Sequence, residues 1–209
     1  MLRGFVEAGF SCVFSTDIMP ESKITIENNN LADYHRQGDI SLFKKSDVDE
    51  IISGHNVDVL VGGPPCKGFT NMGDKLEDDP RNHLVDSYLR FVRWTKPRVV
   101  LMENVPGLKN KYGGRFFRKI VNGLSDEGYD VYCKILNSSE YGVPQIRKRI
   151  FIVATKNEWD YVFPVPCNKS IGRLEPRKNV GPAIMDLVDN NSVLNHQPLN
   201  HTEIVIRRY

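Results

Sequence analysis

Along the first three-quarters of the chain, short apolar runs rich in β-branched residues alternate with longer stretches whose apolar positions recur at helical spacing. That alternation is the pattern of βαβ units, and it predicts an α/β fold with a mostly parallel sheet flanked by helices. Strands are predicted at Cys12 to Thr16, Val57 to Val61, Val99 to Glu103, Tyr129 to Leu136 and Arg149 to Ala154. Helices are predicted near Pro20 to Asn29, Ser46 to Ser53, His83 to Thr95 and Gly114 to Glu127. In the third of these helices Leu84, Tyr88, Phe91, Val92 and Thr95 share one face, while Arg90, Arg93 and Lys96 take the other, so the first face belongs to the core. Asp17, Asp39 and Gly62-Gly63 close such runs, at the strand ends where open α/β sheets bind ligands. Functional residues are therefore expected along that edge. After about residue 156 the pattern weakens into Pro-, Asn- and Lys-containing sequence from Pro164 to Arg177, with a short helical stretch at Pro182 to Val188. The reading is a core over residues 1–156 and a transition segment over 157–209, with no internal repeat and no low-complexity tract.

Composition bounds this picture. A chain of 209 residues with 40% hydrophobic content buries one substantial core and is too short to promise two full domains. No apolar run reaches the roughly 20 residues of a bilayer-spanning helix, and the N-terminus lacks a signal-peptide pattern, so an intracellular protein is expected. Cysteines at 12, 66, 133 and 167 form no CxxC pair, which argues against a zinc knuckle or a dense disulfide framework and predicts reduced thiols. The net charge of +2 is unevenly placed: residues 109–178 hold 14 Lys/Arg against 7 Asp/Glu, a local +7. Such a zone suits a polyanion such as nucleic acid, although ordinary solvated Lys and Arg account for it equally well by themselves.

Chemistry enters at Gly62-Gly63-Pro64-Pro65-Cys66-Lys67-Gly68-Phe69-Thr70. A cysteine directly after two glycines and two prolines, at the end of an apolar strand, sits on a constrained turn that can present its thiol to a ligand. A lone cysteine is more often a small buried residue, so the turn alone favours function only modestly. Three further segments lie in order: Gly38-Asp39-Ile40 upstream, Glu103-Asn104-Val105 after the next strand, and Gln145-Ile146-Arg147-Lys148-Arg149 before a later one.

Together these segments resemble the DNA (cytosine-5) methyltransferase family, whose ordered motifs include a PPC nucleophile loop, an ENV triplet and a QxRxR segment. Each is weak alone, but four in order are specific, and the resemblance runs from about residue 1 to about residue 156 and continues more weakly to the end. It implies a Rossmann-like sheet that binds S-adenosylmethionine, beside a smaller target-recognition domain. It further implies that Cys66, as thiolate, adds to cytosine C6 and makes C5 ready to take a methyl group, a hard step replaced by two easier ones. Glu103 is then expected to hold N3 and N4 of the base, protonated or sharing a proton. Arg149 is expected to contact O2, with Arg147 bracing the nucleophile loop or the base, or making a structural salt bridge. For the cofactor, the resemblance places Asp17 on the ribose hydroxyls, Ile18 against the adenine, Asp39 on its amino group with Ile40 beside it, and Pro65 and Leu84 along the remaining wall. The plainer reading of Asp17 and Asp39 is turn or helix capping. The implied partner is double-stranded DNA with the target base flipped out, in a restriction-modification enzyme of the bacterial cytoplasm and nucleoid that is monomeric when full length.

The chain departs from the family pattern in several places. Lys67 stands where Gln or Asn is usual, and it cannot both donate and accept as an amide does. The glycine- and charge-rich loop Lys67 to Arg81 is expected to close over substrate. Met1-Leu2-Arg3-Gly4-Phe5 matches the helix that follows the family's first strand and glycine-rich turn, so the sheet is expected to lack that central strand. Val180 to Leu187 and Asn195-His196 resemble the segment before the target-recognition domain. The expectation is therefore a fragment of a longer enzyme, not fully active by itself. Alternatives are an RNA (tRNA) cytosine-5 methyltransferase, a non-catalytic nucleic-acid-binding relative, and a nucleotide-dependent oxidoreductase, the last disfavoured because no GxGxxG with a downstream acid is present.

Overall fold

The computed structural model describes residues 1–65, 84–156, 160–167, 178–187, 190 and 192. Helix α1 (Leu2–Glu7) leads to strand β1 (Phe14–Asp17), helix α2 (Pro20–Asn28) and strand β2 (Tyr34–Gln37). Proline at the start of α2, with Glu21 in its first turn, suits a helix N-terminus, where no N–H partner is needed and negative charge is favoured. A 3-10 turn (Ile40–Leu42) and helix α3 (Lys45–Ile51) precede strand β3 (Val59–Gly62). Helix α4 (Leu84–Thr95), strand β4 (Val99–Asn104), helix α5 (Arg115–Ser125) and strands β5 (Tyr129–Asn137) and β6 (Lys148–Lys156) follow, then the short helix α6 (Gly181–Ile184) and a 3-10 turn (Met185–Leu187).

Two sheets form. Strands β1 and β2 pair in parallel, with Phe14 opposite Tyr34 and Asp17 opposite Gln37. The second sheet has the order β3-β4-β6-β5. Its β3–β4 pair is parallel, but β6 runs antiparallel to both β4 and β5. The mostly parallel sheet expected from the alternation thus holds for only half of the pairings. Residues 138–147 between β5 and β6 are too few for a crossover, so the chain turns straight back. Strand β2 escaped the sequence pattern because Tyr-His-Arg-Gln is a polar, largely exposed edge with no apolar run.

The main core lies between α4, α5 and the second sheet. Val85, Tyr88, Leu89 and Val92 of α4 meet Val100 and Met102 of β4, Ile120 and Leu124 of α5, and Ile150, Ile152 and Ala154 of β6. A second, aromatic layer of Phe43, Val48 and Phe91 is covered by Phe14 of β1 and Leu60 of β3. The two sheets therefore share one apolar layer although no strand joins them among the described residues. No helix of the described residues is long and apolar enough to cross a membrane.

Candidate active site

Strand β4 has a strict two-residue rhythm: Val100, Met102 and Asn104 are buried, while Val99, Leu101 and Glu103 face a less covered side. The rhythm delivers a carboxylate and an amide, on opposite faces, to the carboxyl end of the strand. Because β6 is antiparallel to β4, its first residues arrive at that same end, with Glu103 opposite Phe151 and Asn104 opposite Ile150. The basic segment before and at the start of β6 is thereby brought to the carboxylate. Arg149 Nε lies 3.0 Å from Glu103 Oε1, and Arg147 Nη2 lies 3.9 Å from the same oxygen. The side chains of Glu103 and Arg149 are 22% and 23% exposed, and that of Arg147 is 48% exposed. The tight ion pair thus belongs to Arg149, and the salt bridge expected at Arg147 is loose. Arg149 Nη1 also donates to the Lys148 carbonyl at 2.8 Å, which fixes the guanidinium plane.

Arg147 is held through its backbone. Its N–H donates to Asn137 Oδ1 at 3.2 Å, and its carbonyl accepts from the Ser138 N–H at 3.0 Å and the Ser138 hydroxyl at 3.2 Å. Asn137 is itself buried at the end of β5.

The glycine-proline turn begins at the end of β3, next to β4. A methyl group placed on Gly63 would come within 3.6 Å of Glu103 Oε2, so this backbone runs against the carboxylate. At Gly62 the same addition would meet the Tyr88 ring at 2.4 Å, so glycine is required there. The Tyr88 hydroxyl beneath it donates to the Leu101 carbonyl at 2.9 Å, tying α4 to β4, and burial raises its pKa far above the ordinary phenol value. Asn104 completes the approach: its Nδ2 donates to the Pro64 carbonyl at 3.1 Å, and its Oδ1 accepts from the Val105 N–H at 2.7 Å. Cys66, Lys67 and the loop to Arg81 lie outside the described residues.

Of the residues expected around the cofactor, Asp17, Ile18, Asp39 and Ile40 gather at the other sheet, whereas Pro65 follows β3 and Leu84 opens α4. Asp17 ends β1 and its carbonyl accepts from the Gly38 N–H at 2.9 Å, which draws the Gly38-Asp39-Ile40 segment alongside. Asp17 Oδ1 accepts from the Met19 N–H at 2.8 Å, and Asp39 Oδ1 from the Ser41 N–H at 2.7 Å. Both aspartates thus cap their own turns, and the bonds from Ser41 hold the Asp39 carboxyl below its ordinary pKa. A carboxylate has a second oxygen to offer a ligand. Ile18 is 62% exposed beside Asp17, while Ile40 packs against the aromatic layer. Leu84, at the start of α4, is half-buried and Pro65 is exposed.

Three residues support the site in a role the sequence did not assign them. Arg90 Nη2 donates to the carbonyls of Ile40 at 3.2 Å and Ser41 at 2.9 Å, with its guanidinium 5.0 Å from the Trp94 ring. Asn137 and Tyr88 are the other two. Nothing in the primary pattern marks Arg90 or Asn137, because their partners are backbone carbonyls and amides distant in sequence. The function of Asn104 was legible in principle: strand alternation puts a polar amide on the buried face with Val100 and Met102, where it must find partners. Among the described residues no cluster of His, Cys, Asp or Glu suits a metal ion.

Residues 1–208 match the family profile of the C-5 cytosine-specific DNA methylases. Type II methyltransferase M1.HphI of Haemophilus parahaemolyticus is 33% identical over 98% of this chain and 56% of its own length. Type II methyltransferase M.BspRI of Lysinibacillus sphaericus is 34% identical over 87% of this chain and 42% of its own. The chain thus spans about half the length of these curated relatives. Among solved structures, a prophage-encoded candidate DNA modification methyltransferase from E. coli superposes with a TM-score of 0.65 at 26% identity, over 82% of this chain and 47% of that one. The Entamoeba histolytica methyltransferase EhMeth shares the fold, with a TM-score of 0.58 at 21% identity over 79% of this chain and 49% of its own.

Proposed function

Because the chain belongs to the C-5 cytosine-specific DNA methylase family, we propose that the protein methylates C5 of a cytosine flipped out of duplex DNA, with Cys66 as nucleophile. The observation that carries the reading is the convergence at the end of β4: the Glu103 carboxylate, oriented by Arg149 at 3.0 Å, lies against the backbone that leads into Cys66. Residues 1–156 form the catalytic core in this reading, and 157–209 lead toward the part of the protein that reads DNA sequence. The relatives named as Type II methyltransferases support a place in a bacterial restriction-modification system.

Asp17, Ile18, Asp39 and Ile40 at the β1–β2 edge would hold S-adenosylmethionine, which would supply an electrophilic methyl group. The groups there fit it: two fixed carboxylates that would accept from ribose hydroxyls and an adenine amino group, and Ile18 exposed as an apolar surface for the ring. Arg90 steadies the Ile40-Ser41 backbone on which one side of that cradle rests.

The chain's own residues perform the base chemistry. The thiolate of Cys66 adds to C6, and the electron pair displaced from the C5–C6 bond gives C5 the nucleophilic character it lacks in cytosine. Glu103 holds N3 and N4 and neutralises charge pushed toward N3 during the attack. Arg149 keeps that carboxylate aimed and presents donors to O2, and Arg147 adds positive charge that favours the thiolate. After C5 is methylated, loss of its proton and expulsion of the Cys66 thiolate restore the ring.

In an assay of the full-length enzyme with duplex DNA, Cys66→Ser is expected to abolish methyl transfer while cofactor binding, measured by calorimetry, stays nearly unchanged. Near-normal turnover by this variant would overturn the assignment.

A further inference from the structure

We infer that Asn137 is a positioning residue: its side-chain oxygen lengthens strand β6 by one residue, and that extra residue brings Arg147 to the Glu103 side of the sheet. The inference rests on the reading of Glu103 and the two arginines as the groups that handle the base. Strands β5 and β6 pair antiparallel as far as Asn137 opposite Lys148. One step further on, Ser138 faces Arg147, and a regular ladder would have these two residues exchange both backbone bonds. Only half of that exchange forms. The Ser138 N–H donates to the Arg147 carbonyl at 3.0 Å, and the Ser138 hydroxyl adds a second bond at 3.2 Å. The Ser138 carbonyl is taken elsewhere, because the chain enters a 3-10 turn at Ser138–Tyr141 and the N–H groups of Gly142 and Val143 donate to it.

The Arg147 N–H thereby lacks its ladder acceptor, and Asn137 Oδ1 supplies one at 3.2 Å from a residue that is 8% exposed. A backbone N–H can only donate, so the amide oxygen must be the atom turned toward it. Residue 147 is thus held in line with the strand although the paired stretch begins at Lys148. The two-residue period then decides where its side chain goes. Arg147, Arg149 and Phe151 share one face, and Phe151 is paired with Glu103. Arg149 Nε accordingly lies 3.0 Å from Glu103 Oε1, and Arg147 Nη2 lies 3.9 Å from the same oxygen. Without the Asn137 oxygen, the backbone before Lys148 is no longer held extended, and the half-exposed Arg147 loses its direction toward the carboxylate. Asn137 therefore acts through Arg147.

Two measurements on the full-length enzyme test this. Residue-resolved hydrogen exchange reads the bond itself: in Asn137→Ala the Arg147 amide is expected to exchange about tenfold faster or more. Ile150 and Ile152, buried in β6, keep their protection. Asn137→Asp retains an acceptor oxygen beside the cationic Arg147-Lys148-Arg149 run and is expected to keep the Arg147 amide protected. Single-turnover methyl transfer on duplex DNA reads the consequence. Asn137→Ala and Arg147→Ala are each expected to slow it about tenfold to hundredfold, as misplacement of a positioned group does. The double variant is expected to be no slower than Arg147→Ala, because a residue that acts through Arg147 then has nothing left to act on. Additive losses overturn the inference, as does an Asn137→Ala rate equal to wild type. Unchanged exchange at Arg147 in Asn137→Ala, or exchange as fast in Asn137→Asp as in Asn137→Ala, also overturns it. So does loss of protection at Ile150 and Ile152 in Asn137→Ala, which assigns Asn137 to folding. The underlying reading of the site fails separately, by absence of methyl transfer in the wild-type enzyme, and the exchange result then still decides whether Asn137 holds Arg147.

Discussion

In the proposed chemistry Glu103 combines two demands that usually conflict. It must be fixed in a partly covered place, yet keep an oxygen for a ligand, and a strand-end position with Arg149 at 3.0 Å on one oxygen meets both. The ion pair is three-quarters shielded from solvent, so it orients more firmly than a surface pair. Glu103→Gln keeps the shape but cannot hold or give the proton at N3, and is expected to slow methyl transfer by about 10²–10⁴-fold with cofactor binding unchanged. Single-turnover kinetics check this, and an unimpaired rate would remove Glu103 from the chemistry. Gly62 bears on the same place from below. Its Cβ in Gly62→Ala would press to 2.4 Å from the Tyr88 ring, which is wedged beneath the end of β3. Relief requires moving Tyr88 off the Leu101 carbonyl, so the substitution is expected to cost about 1–3 kcal/mol, measured by urea denaturation.

At the scale of elements, much of the fold was legible because hydrophobic periodicity is strong where burial is strong. Helix α4 and strand β4 fall where the pattern places them, and Val100 and Met102 of β4 lie in the core. Strand β2 was not legible, since an exposed polar edge is held by backbone pairing alone. The antiparallel return of β6 was likewise hidden, because strand direction depends on connection geometry and leaves no mark on which side chains are apolar. That return nonetheless decides the site: a parallel β6 would have put Arg147 and Arg149 at the opposite end of the sheet from Glu103. Of the expected site, the Glu103–Arg149 pair was readable as residues but not as a 3.0 Å ion pair. The capping of Asp17 and Asp39 follows from the short side chain of aspartate.

The β5–β6 pair also carries a pH signature. Tyr129 is buried at the start of β5, and its hydroxyl donates to the Pro97 carbonyl at 2.6 Å. Desolvation, and secondarily the charge of Glu127, push its pKa up to about 12. A folded-state pKa raised above the unfolded value of about 10 means stability that is complete below that pH and lost as pH rises toward 12. Thermal unfolding should therefore show a falling alkaline limb that is shallower in Tyr129→Phe. An identical limb in the variant would contradict this.

Across the whole molecule, the Glu103 end of β4 and the Asp17–Asp39 edge lie on different sheets joined by one aromatic layer, Phe14–Phe43–Phe91–Trp94, with centroid separations of 5.9, 5.7 and 5.4 Å. Arg90 of α4 reaches the Ile40-Ser41 backbone while Tyr88, two residues earlier on the same helix, supports the end of β3. Helix α4 therefore braces both halves, the Ile40-Ser41 backbone beside β2 and the carboxyl end of β3. The basic zone over residues 109–178 surrounds the Arg147-Lys148-Arg149 segment in sequence, consistent with a polyanion approaching from that side.

In the proposed reaction Cys66 becomes covalently attached to cytosine during methyl transfer. Duplex DNA with 5-fluorocytosine at the target position tests it directly, because fluorine at C5 blocks the final elimination and leaves the adduct in place. Incubated with this DNA and S-adenosylmethionine, the protein is predicted to form a denaturant-stable complex whose cross-linked peptide contains Cys66, and to form none as Cys66→Ser. Methylation of ordinary cytosine DNA without any such complex, or a cross-link mapped to another residue, would contradict the account.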